Sequence, residues 1–183
     1  MKSLFRVMSV CLVASLAFSR PAIAQKTYAL GVGGGASIPV GRLSCTQNTG
    51  YNGIVALAIG VAELPIGVRL DGIYATLLNN NASSGSSTSS DLRIMGALGN
   101  LIFAFSGTSA KPYVVVGGGL YNMKADVPGA KSDNYFGLNA GLGATFGIGP
   151  IATFVESRYH SISRSVAKGG MAHFVPITVG LMF

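Results

Sequence analysis

Apolar residues recur at every second position through eight segments of about ten residues each, separated by clusters of turn-forming residues. The segments lie near residues 27–37, 51–61, 67–77, 92–105, 113–124, 135–146, 151–162 and 173–183. In the sixth, Phe136, Leu138, Ala140, Leu142, Ala144 and Phe146 share one side, opposite Asn139, Gly141, Gly143 and Thr145. The eighth places Val175, Ile177, Val179, Leu181 and Phe183 together, and the first alternates Tyr28, Leu30 and Val32 with Ala29, Gly31 and Gly33. Successive side chains of a strand point to opposite faces, so each set predicts one apolar sheet face. The links between segments alternate in character as well. Those at 63–66, 106–112 and 147–150 are short and hold Gly or Pro, whereas those at 38–50, 79–90, 126–134 and 163–171 are longer and polar.

Composition decides which solvent such faces meet. Charged residues make up 10% of the 183-residue chain, against about 25% in an ordinary soluble domain. Mean hydropathy is +0.50. Yet no stretch beyond the N-terminus has the 18 or more consecutive apolar residues of a membrane-spanning helix. In hydrocarbon, only helices and closed barrels satisfy every backbone N–H and C=O. The expected fold is therefore all-β: an eight-stranded antiparallel up-and-down transmembrane β-barrel, with large apolar side chains outward and small or polar ones inward. With an even number of strands and both termini on one side, every long link falls on the opposite side, as in outer-membrane barrels. A soluble lipocalin-like barrel is the competing fold.

The N-terminus reads as a cleavable secretory signal over residues 1–24. Lys2 and Arg6 precede the apolar run Val7 to Phe18, and Ala22-Ile23-Ala24 forms a small-x-small cleavage site. The mature barrel domain would then occupy residues 25–183. Cleavage removes Lys2, Arg6 and Arg20, so the remainder stays poor in charge. It also removes Cys11, leaving Cys45 as a lone loop thiol whose only possible bridge is intermolecular. Export takes the chain away from nucleotides and nucleic acid. The spacing Gly31-x-Gly33-x-x-Ala36 resembles a dinucleotide-binding fingerprint, but that motif needs a helix next and an acidic residue about 20 positions on. Pro39 and Gly41 follow instead, and glycines here fit a strand bending around a narrow barrel.

Trp is absent, so any aromatic belt must use Tyr and Phe. Tyr113 and Tyr121 share one face of the fifth segment, about 20 Å apart along the axis of a barrel with tilted strands, and are expected to bracket the apolar band. Ionisable residues inside a membrane span face the interior and pair with one another. Arg69 and Asp71 share a face, as do Glu156, Arg158 and His160. With Asn139 as a cap, they are expected to meet in the lumen as a structural polar network; an ion or proton path is the other outcome. No cofactor or metal site is expected, since His160 and His173 are the only histidines and neither has a cysteine nearby.

The segments Gly31 to Gly41, Pro112 to Tyr121, Asn134 to Gly143, Phe154 to His160 and Val175 to Phe183 resemble the small outer-membrane β-barrel proteins of the OmpA/OmpX type. The resemblance spans the mature chain. It implies a bacterial outer-membrane location and contact with outer-membrane lipid and lipopolysaccharide. It further implies a terminal strand, with Val179, Leu181 and Phe183, recognised by the outer-membrane assembly machinery. No particular activity follows from it, and the expected role is structural or one of surface interaction, without an open pore. A surface adhesin is the first alternative, since Arg42, Lys124, Lys131, Arg164 and Lys168 fall in or beside the long links and suit an acidic extracellular ligand. A barrel similar to lipid A deacylases is the second. It needs nucleophile and base within hydrogen-bond reach, and Ser161 would face away from His160 while Ser163 lies one position too far along. No enzyme is expected.

Overall fold

The computed structural model describes residues 28–60, 65–80, 90–107, 109–127, 129–148, 151–164 and 170–183. The expected signal segment, most of the Ser/Asn tract, part of the first short turn and Lys168 lie outside the described residues. Eight strands run in chain order: β1 (Tyr28–Val40), β2 (Gln47–Gly60), β3 (Ile66–Asn79), β4 (Leu92–Ala104), β5 (Ala110–Ala125), β6 (Asp133–Ile148), β7 (Ile151–Ile162) and β8 (Ala172–Met182). Each pairs antiparallel with the next, and β8 pairs with β1, so the sheet closes on itself. At the seam, the Phe183 N–H donates to the Leu30 carbonyl at 2.8 Å and the Leu30 N–H donates to the Phe183 carbonyl at 3.1 Å.

The period-2 pattern sorts side chains as the sequence predicts over most of the wall. Leu57, Phe136, Leu138, Leu142, Val179 and Leu181 face out, and Leu142 keeps 66% of its surface accessible. The inward series Ala56, Asn139, Glu156, Arg158 and His160 is buried. Closure leaves no unpaired strand edge, and an apolar exterior combined with satisfied backbone bonds is what a hydrocarbon solvent requires.

Two expectations are corrected. Tyr113 and Tyr121 do not belong to an outer belt: both are buried inside the barrel, at 6% and 0% exposure. Both faces of β5 carry apolar residues, so alternation alone could not tell which side faced out. Neighbouring strands settle it by leaving room for the rings. A Cβ at Gly143 would clash with the Tyr113 ring, and one at Gly137 would approach the Tyr121 ring to 2.7 Å. The first link is also much tighter than a loop over 38–50. β1 continues to Val40, a 3-10 turn over Gly41–Cys45 reverses the chain, and β2 resumes at Gln47. Gly41 takes a positive φ of 64°, a conformation that costs glycine little. Leu43 inserts from this turn into the barrel mouth and is buried. Cys45 is exposed there as a free thiol.

Candidate functional site: the filled lumen

The interior of an eight-stranded barrel is only wide enough for side chains to fill it. Here it is filled in two zones. Toward the short-turn end, β3 contributes Arg69 and Asp71 and β7 contributes Glu156 and Arg158. These strands stand opposite one another in the closed order, so contacts between them cross the lumen. Arg69 Nη2 donates to both oxygens of Glu156, at 2.8 and 2.9 Å. Arg69 Nε lies 3.0 Å from Asp71 Oδ1. Arg158 Nη1 meets Asp71 Oδ2 at 2.8 Å, and Arg158 Nε meets Glu156 Oε1 at 2.7 Å. Each guanidinium thus touches both carboxylates, in a closed ring of two positive and two negative charges. All four side chains are at most 3% exposed.

Two further groups complete the ring. Asn100 Nδ2 donates to Asp71 Oδ2, and the Tyr113 hydroxyl donates to Glu156 Oε2, each at 2.8 Å. Sequence reasoning missed both. Asn100 interrupts an otherwise apolar inward series on β4, which is the signal that could have found it; for Tyr113 the signal is its register with Gly143. Asn139 is buried on the same inner wall, opposite His160 in register, but its amide makes no hydrogen bond to the charged groups, so it does not cap them. His160 also lies outside the ring. Its Nδ1 is 2.8 Å from the Tyr121 hydroxyl, and its ring stacks on Phe174 with centroids 4.7 Å apart.

The loop-side zone departs from the expected small and polar filling. Leu77, Ile94, Leu98, Met123, Ile162 and Phe174 pack there with Tyr121 and Leu43 into an apolar plug. The sequence does carry a trace of it: Leu77 and Leu78 are adjacent, so both faces of β3 are apolar at that end. A dry zone above the ionic ring keeps water from competing for its hydrogen bonds, which strengthens them.

Other candidate chemistry is not assembled. His160 faces the lumen, Ser161 lies on the alternate, outer face, and Ser163 lies beyond the end of β7. On the outer wall Ser161 is paired in register with His173, but His173 Nδ1 has no hydrogen-bond partner. Among the described residues no group of three His, Cys, Asp or Glu is placed to hold a metal. The Gly31-x-Gly33-x-x-Ala36 spacing lies wholly within β1. No helix among the described residues is long and apolar enough to cross a membrane, a statement that does not bear on barrels.

No protein-family model matches the sequence, and no curated protein matches it. Solved structures do. Neisserial surface protein A is similar with a TM-score of 0.65 at 14% identity, covering 86% of this chain and 96% of that one. A major outer membrane protein from Thermus thermophilus gives 0.51 at 15% identity over 85% and 98% of the two chains. The Yersinia pestis outer membrane protein Ail, solved in a phospholipid bilayer nanodisc, gives 0.51 at 13% identity over 86% and 100%. At these identities the likeness is one of fold: the chain has the fold of the small outer-membrane β-barrels that its segments resemble.

Proposed function

We propose that the protein is an integral barrel of the bacterial outer membrane, with a solid, non-conducting body and a structural or surface-interaction role. The observation that carries this reading is the buried ring of Arg69, Asp71, Glu156 and Arg158 spanning the lumen from β3 to β7 beneath the apolar plug. A conducting barrel needs a continuous wet path, and two stacked zones of interlocked side chains oppose one. The ring is neutral overall and each charge has partners on at least two sides, as a charge in a membrane interior requires. Its role is then to brace the wall. In this reading residues 1–24 are removed on export, and the terminal strand with Val179, Leu181 and Phe183 is what the assembly machinery recognises. The protein is not an enzyme, which the separation of His160 from Ser161 and Ser163 supports.

Purified protein in planar lipid bilayers is expected to give no sustained conductance steps. Stable single-channel openings would contradict the plug.

A surface-binding role has one observation in its favour: Arg42, Lys124 and Lys131 are exposed at the loop end. Replacing all three by Gln is expected to abolish binding of an acidic polysaccharide to whole cells if the loops carry that role. Unchanged binding would leave the structural role standing alone.

A further inference from the structure

The outer wall is not uniformly convex. Gly53, Gly72 and Ala97 leave a shallow apolar groove of about 760 Å³ across β2 to β6, flanked by Val55, Met95 and Leu120. Its loop-side end is polar. Tyr74, Asn122 and Asn134 line it there, and Asn122 Nδ2 donates to Asn134 Oδ1 at 2.7 Å. Immediately beyond, Arg93 of β4 and Lys124 of β5 stand directly opposite in register on the same outer face. Like charges placed so oppose strand pairing. Asp126 pairs with Arg93, whereas Lys124 is exposed and has no ion pair among the described residues. Tyr51 and Tyr74 form a tilted ring pair at this end, with centroids 6.4 Å apart. Tyrosine rings of this kind favour the boundary between hydrocarbon and headgroups.

We propose that this groove is a specific site for a phosphorylated glycolipid of the outer leaflet, of the lipid A type. An acyl chain lies over Gly53, Gly72 and Ala97, and a phosphate sits between Arg93 and Lys124. The proposal rests on the outer-membrane reading above. Charge complementarity selects this occupant: the apolar trough has no charged lining, and its loop-side end leads to Arg93 and to the unpaired Lys124, where an outer-leaflet headgroup lies. Phosphate relieves the repulsion between Arg93 and Lys124, and the Arg fork suits phosphate oxygens. A second copy of the chain would bring the same cations to the contact and gains nothing from them.

The test compares wild type, R93Q/K124Q and G72L in detergent by native mass spectrometry, each with bis-phosphorylated lipid A, dephosphorylated lipid A or phosphatidylglycerol. Gly72 suits a filling substitution, because a Cβ there comes no nearer than 4.0 Å to another atom. Wild type is expected to retain bis-phosphorylated lipid A about tenfold better than the other two lipids, equivalent to about 1.4 kcal/mol. R93Q/K124Q is expected to lose that preference, and G72L to weaken retention of both lipid A forms while keeping the preference for phosphate. Equal retention of all three lipids by wild type, or an unchanged preference in R93Q/K124Q, would overturn the site. So would a dimer of wild type that G72L abolishes. Heat-modifiable migration on gels separates the two levels: wild type that migrates as a compact barrel but binds lipids indiscriminately contradicts the site alone, whereas wild type without such migration contradicts the barrel reading and the site with it.

Discussion

Glu156 is held by two guanidinium groups and a phenol at once, and that crowding sets what its replacement should do. Removing one partner from a buried ion pair leaves uncompensated charge and costs about 3–5 kcal/mol. Glu156→Gln leaves Arg69 and Arg158 facing Asp71 alone, so unfolding in urea should reveal a loss of about that size. A loss below about 1 kcal/mol, the range of an exposed pair, would show that water reaches the ring. Space is the other residue-level quantity. Gly143 leaves the room Tyr113 occupies, whereas nothing lies within 4 Å of a Cβ built at Gly99 on the outer wall. Gly143→Leu should therefore destabilise the barrel by about 1–3 kcal/mol or more through overpacking, and Gly99→Leu by much less. Equal effects on thermal unfolding would contradict the assignment of inner and outer faces. The charged pairs could be read in the sequence because Arg69-x-Asp71 and Glu156-x-Arg158 are rare charges at a two-residue period in apolar strands. The lumenal tyrosines could not, because a ring on β5 is compatible with either face until its neighbour's glycines are aligned beside it.

At the scale of elements, strand existence and order followed from periodicity, whereas the ends did not. β1 and β2 extend past the predicted boundaries, and what anchors their turn is Leu43, an apolar residue in a polar link that only the open barrel mouth can bury. Asn52 Nδ2 also donates to the Ala36 carbonyl at 2.8 Å, tying the two strands together near that end. The opposite end depends on the seam between β8 and β1. Deleting Phe183 removes its two hydrogen bonds to Leu30, at about 0.5–1.5 kcal/mol each, together with the terminal aromatic side chain. The expected result is a reduced outer-membrane fraction on immunoblots and a lower unfolding midpoint for what is assembled. If the fraction falls while the midpoint is unchanged, the residue serves recognition during assembly and not closure. Unchanged values of both would remove Phe183 from the account.

For the whole molecule, inside and outside are reversed relative to a soluble barrel only in part. The wall is apolar outward, and the lumen combines a neutral ionic ring with an apolar plug, so the protein has a dry core as well as a greasy surface. The alternation in the sequence specified the wall, but it could not distinguish a lumen filled by polar groups from one filled in layers, because both leave the outward face unchanged. The central claim is that this outward face meets lipid. The chain has no Trp, so a single Leu142→Trp substitution gives a clean probe near the middle of β6. Reconstituted in bilayers, its emission should be blue-shifted and quenched by brominated acyl chains, with little quenching by aqueous acrylamide. Red-shifted emission, quenched by acrylamide and unaffected by brominated lipid, would contradict the claim.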